Sequence, residues 1–330
     1  MKKFYILIVF MTCFSCKEDK LQIIKLSGPV FGTGFNIQYF DLGNRNYATQ
    51  IDSLFNVVNQ SLSTYIPDSD ISRVNKNDSL VEVDEHFKHV LKSSKAIYRA
   101  TEGVFDPTIG NVVNAWNFGA ETNKFLTDST TIDSLMQFVG LNRVGLVGNR
   151  IKKPKSGYLE FNAIAKGYGV DVIAEFLKSQ NVENYLVEIG GEVRTLGVNI
   201  EKAKPWKVGL QRPRFDGISD PNDYVLAVPL KNEAMATSGS YRKFKVDENG
   251  NRYTHIINTK TGYPTKTNVL SVSVIAEDCM KADAYATAFQ VMGVEKVKTF
   301  LNTHPELKVY FIYEASSKEM KTLALNGFPE

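Results

Sequence analysis

An acidic side chain and a hydroxyl lie one helical turn apart late in the chain, in the segment DCMKADAYATAF at residues 278–289. Asp283 and Thr287 are four residues apart, so in a helix both side chains leave the same face. Both are hard oxygen ligands of the kind that Mg²⁺ takes together with water and phosphate oxygens. The pair would also fit a helix without a ligand, with Asp283 favoured by the helix dipole and Thr287 bonded to a backbone carbonyl. The two residues alone therefore leave both interpretations open.

A second candidate site lies where a predicted strand runs into a predicted helix, in the segment EFNAIAKGYGVD at residues 160–171. The first N–H groups of a helix favour an anion, and Lys166 would add a positive charge within the first turn. The glycine spacing matches neither a Walker A loop nor a dinucleotide fingerprint. Because a lysine at a helix start is often only solvated, a phosphate site and an ordinary surface lysine both remain open.

Three further segments combine glycine with polar residues: GVFDPTIGNVVNAWNFG at 103–119, VEIGGEVRTLG at 187–197 and THIINTKTGYP at 254–264. Asp106 precedes a proline and predicts a turn, either beside a ligand or simply between two helices. The pair Gly190-Gly191 inside an apolar strand predicts a bulge or a close backbone approach. His255 ends a predicted strand and is the best-placed general base among four histidines, although a histidine there is also commonly structural.

The elements that must position these residues follow from hydrophobic periodicity and from turn residues. Helices are predicted at 47–62, 85–101, 164–179, 280–292 and 294–303. Strands are predicted at 28–40, 144–148, 158–162, 185–198, 206–212, 224–230, 268–276 and 308–314, with a hairpin turn at 248–251. Strands and helices are mixed without regular βαβ alternation, which predicts an α+β or irregular α/β fold rather than a doubly wound sheet.

The composition is that of an ordinary globular protein. The chain has 330 residues, of which 43% are hydrophobic and 23% are charged, and its net charge is +3. The basic residues are dispersed and form no Lys/Arg run, so nucleic-acid binding is not predicted.

The first residues, MKKFYILIVFMTCFSC, predict an export signal, because two lysines precede an apolar run too short to span a bilayer. The small residue before Cys16 resembles the end of a bacterial lipoprotein signal. This implies a signal peptide at 1–15 and lipid on Cys16, followed by a tether over 16–27. A plain secretory signal remains the alternative, since Cys13 stands where such signals usually have leucine. Cys279 is then left without a disulfide partner and is predicted to be a buried apolar residue.

Six segments, taken together and in this order, resemble the ApbE family, the FAD:protein FMN transferases: GVFDPTIG, NAIAKGYGVD, VEIGGEVRTLG, ATSGSYRKF, THIINTKTGYP and KADAYATAFQVMG. The resemblance extends from about Gly28 to the C-terminal strand. It implies a single domain over 28–330, with a T-fold-like arrangement of mixed β-sheets packed by helices.

The reaction that the resemblance implies is Mg²⁺-dependent cleavage of FAD. The FMN half would be esterified through its phosphate to a Thr or Ser hydroxyl of an acceptor redox protein, and AMP would leave. Two alternatives stay open: an FAD pyrophosphatase, in which water replaces the acceptor and FMN and AMP are released, and a non-catalytic FAD-binding lipoprotein.

The family's functional positions can be carried over residue by residue. The resemblance implies Mg²⁺ ligands at the side chains of Asp283 and Thr287 and at the backbone carbonyl of Ala163. His255 matches a histidine that would take the proton of the acceptor hydroxyl. The positions that match FAD contacts are Phe31, Tyr65, Val104, Phe105, Asp106, Glu160, Lys166 and Ile257.

Two of these positions depart from the family's pattern. Phe31 stands where the family often has methionine, which exchanges one apolar surface for another. Glu160 stands where the family usually has aspartate, so its contact would be one methylene longer. The implied location is that of an exported protein, lipid-anchored to a bacterial membrane through Cys16 and facing the periplasm, with the inner or outer membrane left open.

Overall fold

The computed structural model describes residues 21–121, 126–214, 223–241, 244–246 and 252–330. Cys16 and the predicted signal at 1–15 lie outside the described residues, as does the predicted turn at 248–251. The helices in the described part are α1 (Ala48–Leu62), α2 (Asp70–Asn75), α3 (Glu85–Ala100), α4 (Gly110–Ala115), α5 (Ser129–Met136), α6 (Ala165–Ser179) and α7 (Cys279–Leu301).

One large sheet organises the fold. The strands are β1 (Gln22–Val30), β2 (Thr33–Asp41), β3 (Gly145–Val147), β4 (Arg150–Lys152), β5 (Tyr185–Ile189), β6 (Glu192–Leu196), β7 (Trp206–Gln211), β8 (Tyr224–Leu230), β9 (Ala234–Gly239), β10 (Phe244–Val246), β11 (Arg252–Thr254), β12 (Val269–Ala276), β13 (Lys308–Glu314) and β14 (Met320–Leu325). Eight of them form an antiparallel sheet in the order β1-β2-β5-β6-β9-β12-β13-β14, and β3-β4, β7-β8 and β10-β11 pair separately. The prediction of an α+β fold is confirmed.

The first predicted strand, 28–40, is in fact the middle of a hairpin. β1 and β2 pair across a two-residue turn at Phe31 and Gly32, whose φ values of 49° and 71° suit the turn geometry of tight hairpins. β1 begins at Gln22, so the predicted boundary of the domain at Gly28 lies inside this strand. The mixed polar and apolar pattern of this edge strand obscures its start in the sequence, because its residues before Val30 are half-buried or exposed.

Two other strand predictions change in the structure. Residues 185–198 form the hairpin β5-β6, which turns at Gly190 and Gly191 with φ values of 63° and 107°. Residues 158–162 form no strand beyond a single bridge from Tyr158. Instead, the side chain of Asn75 donates to the Leu159 carbonyl and accepts from the Leu159 N–H, both at 2.8 Å, which replaces strand pairing.

The sheet separates two apolar layers. On one face, α6 packs on β5 and β6, and α7 packs on β9 and β12 and along α6. On the other face, the β7-β8 ribbon covers side chains such as Phe40, Met235 and Ile312 with Trp206 and Val228. Each large apolar side chain buried in these layers contributes about 1.5–3 kcal/mol to folding. The arrangement places the start of α6 against the first half of α7, where the candidate residues lie.

α7 contains the two helices that the sequence predicted at 280–292 and 294–303. Gly293 has a non-helical φ of 74° and kinks the element between them. No helix in the described part of the chain is long and apolar enough to cross a bilayer.

Candidate functional site

The junction of α6 and α7 brings Asp283 against the start of α6. The backbone N–H of Gly167 donates a hydrogen bond to Asp283 Oδ2 at 3.0 Å. The approach is close enough to require glycine, because a Cβ at Gly167 would lie 2.3 Å from the Cys279 carbonyl oxygen and 2.8 Å from Asp283 Cβ. Asp283 is 5% exposed. A buried carboxylate that accepts a single hydrogen bond retains the capacity to bind a cation.

Three oxygens near this junction lack hydrogen-bond partners within the described residues. They are the Ala163 carbonyl, Asp283 Oδ1 and the Thr287 hydroxyl. In a regular helix the Gly167 N–H would bond to the Ala163 carbonyl, but here it is taken by Asp283. Thr287 makes no hydrogen bond back to a helix carbonyl. The alternative in which its hydroxyl is satisfied by the helix backbone therefore does not hold in the structure. A carbonyl, a carboxylate and a hydroxyl together suit a hard cation.

No group of three or more His, Cys, Asp or Glu side chains in the described ranges is arranged to hold a metal ion. Besides the Asp283 carboxylate, a cation here would thus depend on the Ala163 carbonyl, the Thr287 hydroxyl, water and oxygens of a bound ligand. That donor set fits Mg²⁺, which is seldom enclosed by protein side chains and keeps water and phosphate in its shell.

Lys166, in the first turn of α6, faces an acidic partner on the sheet. Its Nζ lies 2.6 Å from Glu192 Oε1 at the start of β6. Burial opposes the charge on Lys166, but the carboxylates of Asp283 and Glu192 outweigh it and raise the lysine pKa. Burial likewise raises the pKa of Glu192 to about 7, although the charge of Lys166 opposes the rise. Lys166 is thus a retained cation within reach of two carboxylates, and it is not an ordinary solvated lysine.

The register between α6 and α7 is fixed at a second point by Asp171. Its carboxylate accepts the N–H groups of Cys279 and Met280, at 3.0 and 2.8 Å, and so caps the start of α7 from another helix. Arg194 pairs with Asp171 at 2.9 Å and with Glu175 at 2.6 Å. Cys279 is fully buried beside this cap, and burial raises its thiol pKa, as predicted for an unreactive apolar cysteine.

Two aromatic residues border the junction at different depths. Phe31 packs against α6 at Gly169, where a Cβ would lie 2.5 Å from its ring, and meets Phe55 edge-on at 5.6 Å. Tyr65 is 57% exposed and lies near Glu160, whose charge adds to the desolvation that raises the tyrosine pKa. The exposed ring of Tyr65 therefore offers a flat surface to a ligand, whereas Phe31 is mainly part of the wall.

The Val104-Phe105-Asp106 run turns most of its side chains inward. Phe105 is 3% exposed and belongs to the core. The Asp106 carboxylate accepts from the Thr108 N–H at 2.9 Å, from the Thr108 hydroxyl at 2.6 Å and from the Leu141 N–H at 3.3 Å, and burial raises its pKa. Any contact of Phe105 and Asp106 with a ligand would therefore come mainly from the backbone of this run. The Val104-Phe105-Asp106 run is connected to the segment before α6 by a hydrogen bond that the Glu160 N–H donates to the Pro107 carbonyl at 2.8 Å.

His255 and Ile257 stand on the segment that follows β11. His255 is half-buried, with its ring 6.4 Å from that of Phe118. Ile257 is 6% exposed and packs with the α4 cluster. Thr259 ties the segment to the Val104 run by donating to the carbonyls of Gly103 and Val104, at 2.7 and 3.1 Å. The structure thus forms two groups of predicted site residues. The segment of His255 is tied to the Val104 run, and Lys166, Asp283 and Thr287 lie at the junction of α6 and α7.

Sequence reasoning missed four residues that hold this site together: Gly167, Asp171, Glu192 and Thr259. Glu192 directly follows the Gly190-Gly191 pair, which indicated a close backbone approach but not a partner for Lys166. Asp171 lies in the quoted segment at 160–171, where its role required knowledge of where α7 begins. A helix start lined by a lysine, next to three unpaired hard oxygens and an exposed aromatic ring, is the kind of site used by enzymes that bind a nucleotide diphosphate with a metal ion.

The comparison with protein families agrees with this class of site. The ApbE family model matches residues 31–311. The chain therefore belongs to the ApbE family.

Similar proteins bear names that are consistent with one another. The chain is 37% identical over 292 residues to the FAD:protein FMN transferase of Vibrio cholerae, covering 84% of each chain. It is 35% identical over 314 residues to the FAD:protein FMN transferase of Haemophilus influenzae, covering 90% of this chain and 88% of the relative. The solved structure of the flavin transferase ApbE from Vibrio cholerae superposes with a TM-score of 0.83 at 34% identity, covering 94% of this chain and 99% of that one.

Proposed function

We propose that this chain is an FAD:protein FMN transferase that cleaves FAD and joins the FMN half to a Thr or Ser hydroxyl of an acceptor protein. The observation that carries the proposal is the α6-α7 junction, where three unpaired oxygens lie beside Lys166. Family membership and the names of the relatives support the reaction type.

In the proposed reaction, the acceptor hydroxyl oxygen forms a bond to the phosphorus of the FMN half, and the bond from that phosphorus to the oxygen bridging to AMP breaks. AMP leaves with the electron pair of that bond, and the hydroxyl proton passes to His255. Lys166 binds the diphosphate, and the exposed ring of Tyr65 stacks on a planar part of FAD. Ala163, Asp283 and Thr287 hold the cation. Mg²⁺, when bound, supplies neutralisation of the charge that develops on the diphosphate.

The experiment combines the purified chain with FAD, Mg²⁺ and a purified redox protein from the same cell, followed by mass spectrometry of the acceptor. We expect the acceptor to gain one FMN group. Asp283→Ala should abolish the gain, while Asp52→Ala, which removes an exposed aspartate on α1, should not. Turnover that survives in Asp283→Ala would exclude the metal assignment.

Free FMN measured in the same reactions separates the alternatives. A pyrophosphatase would release FMN and AMP whether or not the acceptor is present, and would leave the acceptor unmodified. A non-catalytic FAD-binding lipoprotein would bind FAD and release neither product. The presence of Asp283, Thr287 and Lys166 in one junction argues against the non-catalytic alternative.

For the location, we propose an exported chain held on a membrane through lipid on Cys16. The support is the sequence of the first residues. Labelling of cells with a fatty acid should mark the chain, and Cys16→Ser should remove the label and move the chain from the membrane fraction to the soluble fraction. A labelled Cys16→Ser chain would contradict the proposed anchor.

A further inference from the structure

Glu192 has an arrangement that the proposed reaction does not account for. Its side chain is buried, with 3% of the residue exposed, and Oε1 lies 2.6 Å from Lys166 Nζ. Oε2 is buried and has no hydrogen-bond partner among the described residues. A buried carboxylate with one unsatisfied oxygen is energetically unfavourable, and the ion pair with Lys166 offsets part of this cost.

Lys166 has a second carboxylate within electrostatic reach. Asp283 raises the pKa of Lys166, yet no ion pair within 4.0 Å joins the two residues. The ammonium group therefore interacts with two anions and is in ion-pair contact with one of them, Glu192. An ion pair with Lys166 occupies one oxygen of the carboxylate that forms it, and in the structure that carboxylate belongs to Glu192.

Contact with Asp283 would compete with a cation. Asp283 Oδ2 already accepts from Gly167, so Oδ1 is the oxygen left for a metal ion. If Lys166 turned to Oδ1, its positive charge would replace the cation at the same anion. It would also move the ammonium away from its present position at the sheet.

We propose that Glu192 is a positioning residue that holds Lys166 off Asp283, which leaves Asp283 for a divalent cation and Lys166 for the diphosphate. This inference rests on the proposed function, because it takes Asp283 as a metal ligand. Glu192 itself touches neither the cation nor the substrate; it acts through Lys166.

The test measures cation binding directly, without turnover. Mn²⁺ alone is titrated into the purified chain, and free Mn²⁺ is followed by electron paramagnetic resonance, since carboxylate and carbonyl ligands suit Mn²⁺ as well as Mg²⁺. Glu192→Gln releases Lys166 to Asp283, and we expect the affinity for Mn²⁺ to fall about tenfold or more. Glu175→Gln is the matched control, because it makes the same charge change at a residue of α6 that pairs with Arg194 and not with Lys166. This variant should leave the affinity for Mn²⁺ unchanged.

A double variant distinguishes positioning from a structural role. Adding Lys166→Met to Glu192→Gln removes the competing ammonium, so Mn²⁺ affinity should return toward that of the wild type. If Glu192 served only to stabilise the fold, the second substitution would restore nothing. Glu192→Asp, which shortens the reach to Lys166 while keeping the charge, should give an intermediate affinity and serves if Glu192→Gln does not fold.

Three results would overturn the inference, and they differ in what else they overturn. Equal Mn²⁺ affinity of the wild type and Glu192→Gln excludes the positioning role and leaves the proposed function intact. A double variant as weak as Glu192→Gln does the same. A wild-type chain that binds no Mn²⁺ excludes the metal site itself, and with it the metal-dependent part of the proposed function.

Discussion

The N–H of Gly167 donates to the carboxylate of Asp283 at 3.0 Å, although these two residues are 116 positions apart. The bond diverts a helix donor from the Ala163 carbonyl, and it seats α7 on the first turn of α6. One hydrogen bond thereby orients Asp283 and leaves a backbone oxygen unpaired beside it. The following predictions test this arrangement and the elements around it.

Gly167→Ala should separate α6 from α7. The added methyl would meet backbone atoms of Cys279, which do not yield as a flexible side chain does. We expect a loss of about 1–3 kcal/mol in the free energy of unfolding, measured by urea denaturation, together with weaker Mn²⁺ binding. Gly145→Ala is the control, because its Cβ would meet no atom within 4 Å. Equal stability of the two variants would contradict the close approach.

Thr287→Val should weaken cation binding with little effect on the fold. The hydroxyl of Thr287 makes no hydrogen bond within the described residues, so its loss leaves no buried partner unsatisfied. We expect Mn²⁺ affinity to fall about tenfold, which corresponds to about 1.4 kcal/mol for one lost ligand. Thr287→Ser keeps the oxygen and should retain most of the affinity. A destabilised Thr287→Val chain with normal Mn²⁺ binding would point to a packing role instead.

His255→Gln should slow transfer without changing the cation site. A general base contributes about 10²–10⁴-fold to a rate, so the FMN-transfer rate constant should fall within that range. Mn²⁺ affinity should be unchanged, because His255 lies beside Phe118 on the segment that follows β11, whereas the proposed cation ligands are Ala163, Asp283 and Thr287. His304→Gln, at a ring stacked on Phe300 near the far end of α7, should leave both quantities unchanged. A normal transfer rate in His255→Gln would exclude it as the base.

Asp41 should make stability depend on pH in acid. Its carboxylate pairs with Arg45, and that hydrogen bond lowers the Asp41 pKa below its unfolded value; Arg45 also donates to the Gln180 carbonyl after α6 at 3.0 Å. A lowered carboxyl pKa stabilises the fold above the unfolded pKa, and this contribution is lost as pH falls through the folded pKa. The difference in unfolding free energy between wild type and Asp41→Asn should therefore shrink as pH falls from about 5 to about 2, a window that begins just above the ordinary aspartate pKa of about 3.9. A difference that stays constant across this range would refute the assignment.

The sequence predicted the helices of this site better than its strands. The predicted ends of α1, α3 and α6 lie within about a residue of the observed ends, and α1 and α3 each bury one regular face. β9 and β14 are not predicted from the sequence. The segment of β9, AMATSG, consists of small residues and ends in polar ones, and the residues of β14 are exposed or half-buried. In the sequence, the hairpin turns at Phe31 and Gly190 resemble irregularities within single strands, because pairing partners are not encoded locally.

For the site, residue types identified Asp283, Thr287 and Lys166, but not their surroundings. The partner of Lys166 is Glu192, which lies 26 positions away and meets it only once the sheet is formed. Nor could spacing reveal that Asp106 turns inward, since its carboxylate is held by Thr108 and Leu141. Long-range contacts of this kind determine which of the polar residues remain available to a ligand.

The cap that Asp171 provides to α7 has a consequence for binding thermodynamics. α6 holds α7 at two places, through Asp171 at the first residues of α7 and through Gly167 at Asp283, one turn further along. Two attachments fix both the position and the rotation of α7 relative to α6. The oxygens that we propose as cation ligands are consequently set in place before any ion binds, so the ordering entropy of the proposed site is lost during folding instead of during binding.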